Sequence, residues 1–284
     1  MKKKHIGIIL VIVAFFWAVG RTVTVKLLSQ GGLGLNTILF YQTGFALILM
    51  FPFLVYNGIN AIVPKKPLYY FLRTLSGILS LYCFFWALER TSLAKAVLLN
   101  NSAPLFVPLI IVVFFAAKFK KRNWIFLILG FFGIALILRV RTFSVELGEI
   151  SALLSGLFAA FSIVSTRVLK KTGNEKSFTI VFYYIFSITI VSGVMLLLHP
   201  QFPSSEQWIY LLGGGFMFFL FQILFTMSLA FGKASEISPF MYFGVLFAGI
   251  ADWVIWKNIP SSMALCGMIL VIMGGILSIV FNNE

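Results

Sequence analysis

An all-α integral membrane protein, with ten transmembrane helices arranged as two inverted five-helix repeats, is the fold the sequence predicts. Three observations lead there. Apolar residues make up 61% of the chain and charged residues 11%, against roughly 45–50% and about 25% in soluble domains. The apolar residues gather in ten runs, each near the roughly 20 helical residues that cross a hydrocarbon core about 30 Å thick. The last five runs repeat the register of the first five at one constant offset, 141 residues.

Charges, prolines and polar clusters bound the runs at 6–28, 34–56, 68–88, 94–115, 124–141, 147–168, 177–198, 207–231, 237–257 and 262–281. The first follows Met1-Lys2-Lys3-Lys4-His5 and has no convincing small-residue cleavage site, so it is predicted as a retained helix, not a removed signal. Gln42 and Thr43 fall near the middle of the second run and Tyr82 near that of the third, which also carries Arg73 close to its start. The fourth holds Asn100, Asn101 and Pro104, and Pro removes a backbone donor inside an apolar helix. The fifth and tenth contain Gly133 and Gly274-Gly275, and the eighth Gly213-Gly214-Gly215 and Gln222; such glycines allow close helix approach. Ser238, Pro239, Tyr242 and Asp252 belong to the ninth. No connection exceeds about 11 residues, which leaves no room for a soluble domain. The two cysteines, Cys83 and Cys266, sit within apolar runs and are predicted as small buried hydrophobes.

Basic residues set the orientation. Lys2, Lys3, Lys4, Lys65, Lys66, Lys118, Lys120, Lys121, Arg122, Arg167, Lys170, Lys171, Lys176 and Lys233 collect at one set of run ends. The opposite set has only Lys26, Arg90, Lys95, Arg139, Arg141 and Lys257. The positive-inside rule then places both termini in the cytoplasm of a bacterial-type inner membrane. The net charge of +14 is spread over short loops, where anionic lipid headgroups are its natural partner, and nothing in it suggests nucleic acid.

The repeat explains why WALERTSLAKA at 86–96 is answered by MSLAFGKASEI at 227–237, with Lys95 in register with Glu236. At the same offset Lys26 meets Arg167, Gly133 meets Gly274, and Phe15-Phe16-Trp17 meets Gly156-Leu157-Phe158. A unit of five spans starts on one face and ends on the other, so its copy must be inverted. Secondary transporters commonly use such pairs, with the substrate site near the midplane between the halves. The predicted units are 1–141 and 142–284.

An ionisable group at membrane depth is a functional candidate by default. Arg21 lies roughly 10 Å inside the end of its run, at 1.5 Å of rise per residue. Asp252 lies at similar depth and is taken as the only carboxylate within a run. The two are candidates for an ion pair, with Arg21 free to exchange Asp252 for an anionic group of the substrate; a purely structural pair is the other reading. Asn100 and Asn101 beside Pro104 are candidate contacts for a polar solute or, equally, interhelical hydrogen bonds. Their partners across the offset are Met241 and Tyr242. Gln222 and Tyr82 offer polar groups at the midplane, and Trp17 an aromatic wall matched by Phe158. Arg73 is expected to snorkel to the headgroups. His5 and His199 have no metal-ligand neighbours, no paired carboxylates or nucleophile–base pair can be assembled, and no cofactor is predicted.

LRTLSGILSLYCFFWALERTSLAKA at 72–96, followed by Ser102-Ala103-Pro104-Leu105-Phe106, resembles the EamA-type carriers of the drug/metabolite transporter superfamily. Trp17 with Lys26 and the glycines of runs five and ten fit the same resemblance, which extends over essentially the whole chain. It implies two inverted five-helix repeats around a central polar cavity, and export of amino acids or related metabolites. In one branch it implies uptake of S-adenosylmethionine instead. The family usually carries Glu at the cytoplasmic end of helix four and the outer end of helix nine, where this chain has Ala117 and Asn258. The expected activity is secondary transport of a small polar metabolite. A membrane enzyme, a lipid-handling protein or a channel is the remote alternative. A homodimer through helices five and ten is an arrangement that their glycines permit.

Overall fold

A computed structural model describes residues 2–57, 63–115, 146–172, 175–231, 240–241, 243–258 and 261–280, with positions 125, 128, 129, 132, 133 and 136. Its helices are α1 (Lys2–Gln30), α2 (Leu35–Asn57), α3 (Pro67–Leu88), α4 (Leu93–Asn100), α5 (Ala103–Phe115), α6 (Leu147–Thr172), α7 (Ser177–Leu198), α8 (Gln207–Phe231), α9 (Phe243–Trp256) and α10 (Ser262–Val280). Among the described residues, seven helical stretches are long and apolar enough to cross a membrane, one of them α4 and α5 taken together. Most of the fifth predicted span, with Ala117, lies outside the described residues, as do Tyr242, Lys233 and Glu236, whereas Gly133, Gly274 and Gly275 are helical.

The fourth predicted span divides at Asn101 and Ser102. Ser92 caps α4, its hydroxyl accepting from Lys95 N. At the other end Asn101 N donates to Val97 O and Ser102 Oγ to Leu99 O. Pro104, in the first turn of α5, has no N–H to extend the ladder back to Asn100. The break therefore sits where the chain chemistry puts it, and the freed carbonyls are covered by protein.

Helices pack in antiparallel pairs. Along α1 and α8, Phe15 meets Phe221 and Phe225, Trp17 meets Phe216, and Gly31 lies by Gln207. Along α3 and α6, Ser162 Oγ donates to Arg73 O, Ser80 Oγ to Ser155 O, and Ser151 Oγ to Cys83 O, at 3.2, 2.9 and 2.8 Å. These small residues let the two backbones approach while each hydroxyl is satisfied inside the bundle. The α2–α7 pair is tied by Thr189 Oγ1 donating to Thr43 Oγ1 at 2.9 Å. Shifting every helix by the 141-residue offset turns the α3–α6 contact into α8–α1, α5–α6 into α9–α1, and α2–α8 into α7–α3. The α2–α7 contact maps onto itself.

The outside of the bundle is apolar, with Phe51, Val55, Ile190 and Leu197 at least half exposed. The interior holds an unusual share of polar groups, including Arg21, Gln42, Arg73, Glu149, Gln222 and Asp252. A soluble protein does the reverse. Cys266 is exposed on α10, against the expectation of burial, and Cys83 is half-buried. A run that is apolar all round cannot announce which face looks outward.

Candidate functional site

A cavity of about 160 Å³ lies where α1, α3, α4, α6, α7 and α8 converge. It is walled by Phe15, Phe84, Phe85, Phe218, Phe221 and Phe225, with Arg21, Arg73, Ser80, Asn100, Asn101, Ser162, Tyr184 and Gln222 among its polar members. A second space of about 970 Å³ opens at the ends of α1 and α3, the starts of α2 and α4, and the end of α9. Phe85 lines both and is 2% exposed, so its ring forms part of the wall between them.

Arg21 is 4% exposed. Its Nε donates to Gln42 Oε1 at 3.1 Å, and Gln42 Nε2 donates onward to Thr24 Oγ1 at 3.2 Å. The guanidinium lies 3.7 Å from the centroid of Phe218, and 5.1 Å from that of Phe85. Its Nη2 has no partner. Among the described residues no carboxylate reaches it, which corrects the expected pairing with Asp252.

Asp252 instead faces the larger space. Its Oδ1 is 3.9 Å from Lys26 Nζ and accepts from Asn258 Nδ2 at 3.2 Å, while Oδ2 accepts from Ala94 N at 3.1 Å. It thus latches α9 to the first turn of α4 and to α1, and Asn258, at the position where Glu was expected, is one of its partners. Lys26 also lies 4.5 Å from the ring centroid of Trp256. Lateral pairing depends on which helices adjoin, and about one and a half helix turns separate Arg21 from Lys26. Removing the acceptor from a buried pair strands the remaining charge. Asp252→Ala is therefore expected to destabilise the protein by about 3 kcal/mol, and Asp252→Asn, which still accepts from Ala94, by less. Thermal unfolding of the detergent-solubilised protein ranks the three, and equal midpoints would rule out the latch.

Asp252 is not the only carboxylate at helix depth. Glu149 in the first turn of α6 is 3% exposed, and its Oε1 lies 2.6 Å from Lys95 Nζ. Position at a run's edge hid it, because burial there is decided by packing of α4 on α6.

The remaining candidates divide. Asn100 Nδ2 donates to Ser155 Oγ at 2.9 Å and Asn101 Nδ2 reaches Met241 O at 3.5 Å, both at the cavity wall. Gln222 lines the cavity, 4% exposed, with Oε1 unpartnered. Tyr82 lies away from it, donating to Asn36 Oδ1 at 2.9 Å. Trp17 packs on Phe16 and on Phe216 of α8 and does not line the cavity. Phe15, on the same helix face as Ala18, Val19 and Thr22, takes the aromatic role.

Arg73 also departs from the expectation. It does not snorkel outward: it is 7% exposed, its guanidinium 4.1 Å from the Tyr184 centroid and its Nε unpartnered. Gly77, one turn on, makes this possible. A Cβ there would stand 2.6 Å from Arg73 Nη1 and 2.5 Å from Tyr184 Cε2, and Tyr184 OH donates to Gly77 O at 3.2 Å. An Arg followed four residues later by Gly was the available signal.

A lipid-adapted bundle with buried charged and polar side chains around an internal cavity defines a multi-pass membrane protein. The chain belongs to the EamA-like transporter family, whose model matches it twice, at residues 5–139 and 146–280. It is similar to the pseudopaline exporter CntI of Pseudomonas aeruginosa, 24% identical with 94% of this chain and 93% of that one covered. The S-adenosylmethionine uptake transporter of Rickettsia prowazekii is 23% identical, with coverage of 83% and 79%. The riboflavin transporter of Rhizobium johnstonii is also 23% identical, over 86% and 80%. A crystal structure 13% identical in sequence superposes with a TM-score of 0.67 over 98% of this chain and 97% of that one, and so shares the fold. The protein is a multi-pass membrane transporter of the drug/metabolite superfamily.

Proposed function

We propose that the protein is a secondary carrier that moves a small polar metabolite across a bacterial-type inner membrane by alternating access, both termini being cytoplasmic. Its working parts are two inverted five-helix repeats, and its substrate site is the cavity around Arg21. One observation carries this reading: the buried residues Arg21, Arg73 and Gln222 line a common space inside an otherwise lipid-adapted bundle, and each has a side-chain atom without a partner, Nη2, Nε and Oε1 in turn. An orphaned polar group at this depth is costly unless something else completes it. The interchange of helix contacts at the 141-residue offset supports the inverted repeat. An inverted pair has two equivalent rocking states, one open to each side. The larger space behind Phe85 would be the outer entrance.

Uptake of S-adenosylmethionine is the second reading, favoured by the names of the Rickettsia relatives. Its sulfonium cation would meet two buried guanidiniums, which counts against it.

Two-sided labelling tests the mechanism. In a background with Cys83→Ala and Cys266→Ala, a Val97→Cys variant places a thiol on the cavity wall. Alternating access predicts reaction with a membrane-impermeant maleimide in both right-side-out and inverted vesicles. Adding Phe85→Ala is expected to raise the rate from the side of the larger space several-fold. Labelling from one side only, whatever solutes are present, would contradict the mechanism.

A further inference from the structure

We infer that the solute is a small organic dianion, with two separate anionic groups on a short carbon chain, one for Arg21 and one for Arg73. The inference deepens the carrier reading and rests on it. Both guanidiniums line one cavity, and among the described residues no carboxylate lines it with them. The buried acids are engaged elsewhere: Asp252 by Lys26, Glu149 by Lys95, and Glu175 by the backbone N–H of Lys65. Aromatic faces offset part of the cost of burying a cation, but two unneutralised charges inside a membrane are otherwise penalised heavily. A bound anion removes that penalty.

The charges are also separate. Arg21 lies over Phe218 and Arg73 over Tyr184, two different rings whose centroids are 6.3 Å apart. Arg73 is one and a half turns or so from Pro67, near the lysine-rich end of α3, whereas Arg21 sits in the half of α1 that leads to the larger space. The guanidiniums are thus staggered along the path through the bundle, each on its own ring. A solute with an anionic group at each end satisfies both. The space holds about five water molecules at roughly 30 Å³ each, room for a chain of a few carbons, with phenyl rings against its methylenes.

Thermal unfolding of the purified protein, followed by tryptophan fluorescence, tests this without requiring transport. Succinate and glutarate are titrated against propionate, succinamide and S-adenosylmethionine. The dicarboxylates are expected to raise the unfolding temperature at concentrations where the monoanion, the neutral isostere and the cation do not. Arg73→Gln should weaken the apparent dicarboxylate affinity about tenfold or more, as loss of a charge-assisted contact does, and Arg73→Lys should recover part. An unfolding temperature in the absence of solute no lower than wild type shows that the Gln variant is folded. Should that variant fail to fold, Arg21→Gln is read in the same way. A shift by the neutral or cationic compounds alone, or a dicarboxylate shift indifferent to both substitutions, overturns the dianion. If a neutral or cationic solute is transported and no dicarboxylate binds, the carrier reading stands and this one falls. If dicarboxylates bind and nothing is transported, the reverse holds.

Discussion

Arg21→Gln lowers the initial rate of solute transport in proteoliposomes by about a hundredfold, on the premise that one charge-assisted contact worth about 3 kcal/mol is lost. The residue is already desolvated, with Gln42 holding Nε and Phe218 beneath the guanidinium plane, so the cation is placed before any solute arrives. Preorganisation is why the loss should be large: little of the contact energy goes into ordering the side chain. Gln is shorter and neutral, and it keeps a polar group near Gln42. Folding should therefore survive, which unfolding temperature and chromatographic behaviour check. A variant that folds and transports at the wild-type rate would remove Arg21 from the substrate site.

Gly156→Val is expected to prevent accumulation of folded protein, and Gly156→Ala to cost about 2–3 kcal/mol as overpacking. A Cβ at this position would stand 2.6 Å from Leu99 O, 2.9 Å from Ser102 Oγ and 3.1 Å from Asn100 O. Two of those atoms are backbone carbonyls at the α4–α5 break, so they cannot swing aside as a side-chain tip would. The same contact holds Asn100 and Asn101 at the cavity wall. Gly249 on α9, whose added Cβ would meet nothing within 4 Å, is the control for glycine replacement itself. Detergent-solubilised yield and unfolding midpoint separate the two sites. Equal tolerance at both would mean that α6 does not press on the break.

Much of this was legible in the chain because a bilayer leaves few choices. Backbone polar groups must be paired within each span, so runs of apolar residues become helices with ends near the expected positions, as for α3, α7 and α8. The Asn-Asn-Ser-Ala-Pro stretch announced the break before α5, and depth alone singled out Arg21. Direction around a helix was not legible. The first run is apolar on all sides, so nothing distinguished Phe15, which lines the cavity, from Trp17, which packs on α8. Arg73 looked like a snorkelling residue because its distance from the helix end was known and its face was not. The choice of Lys26 over Arg21 as the partner of Asp252 was fixed by the packing of α9 against α1 and α4, a long-range fact that no local pattern contains.

The substrate-bearing role of the cavity is tested most directly by loading proteoliposomes with a whole-cell metabolite extract and identifying by mass spectrometry which solutes leave. Wild-type protein should release one chemical class selectively, relative to protein-free vesicles, and vesicles containing Arg21→Gln should retain it. Release of the same solutes by both proteins, or no selective release from correctly inserted wild-type protein under any imposed gradient, would contradict a carrier built around this cavity.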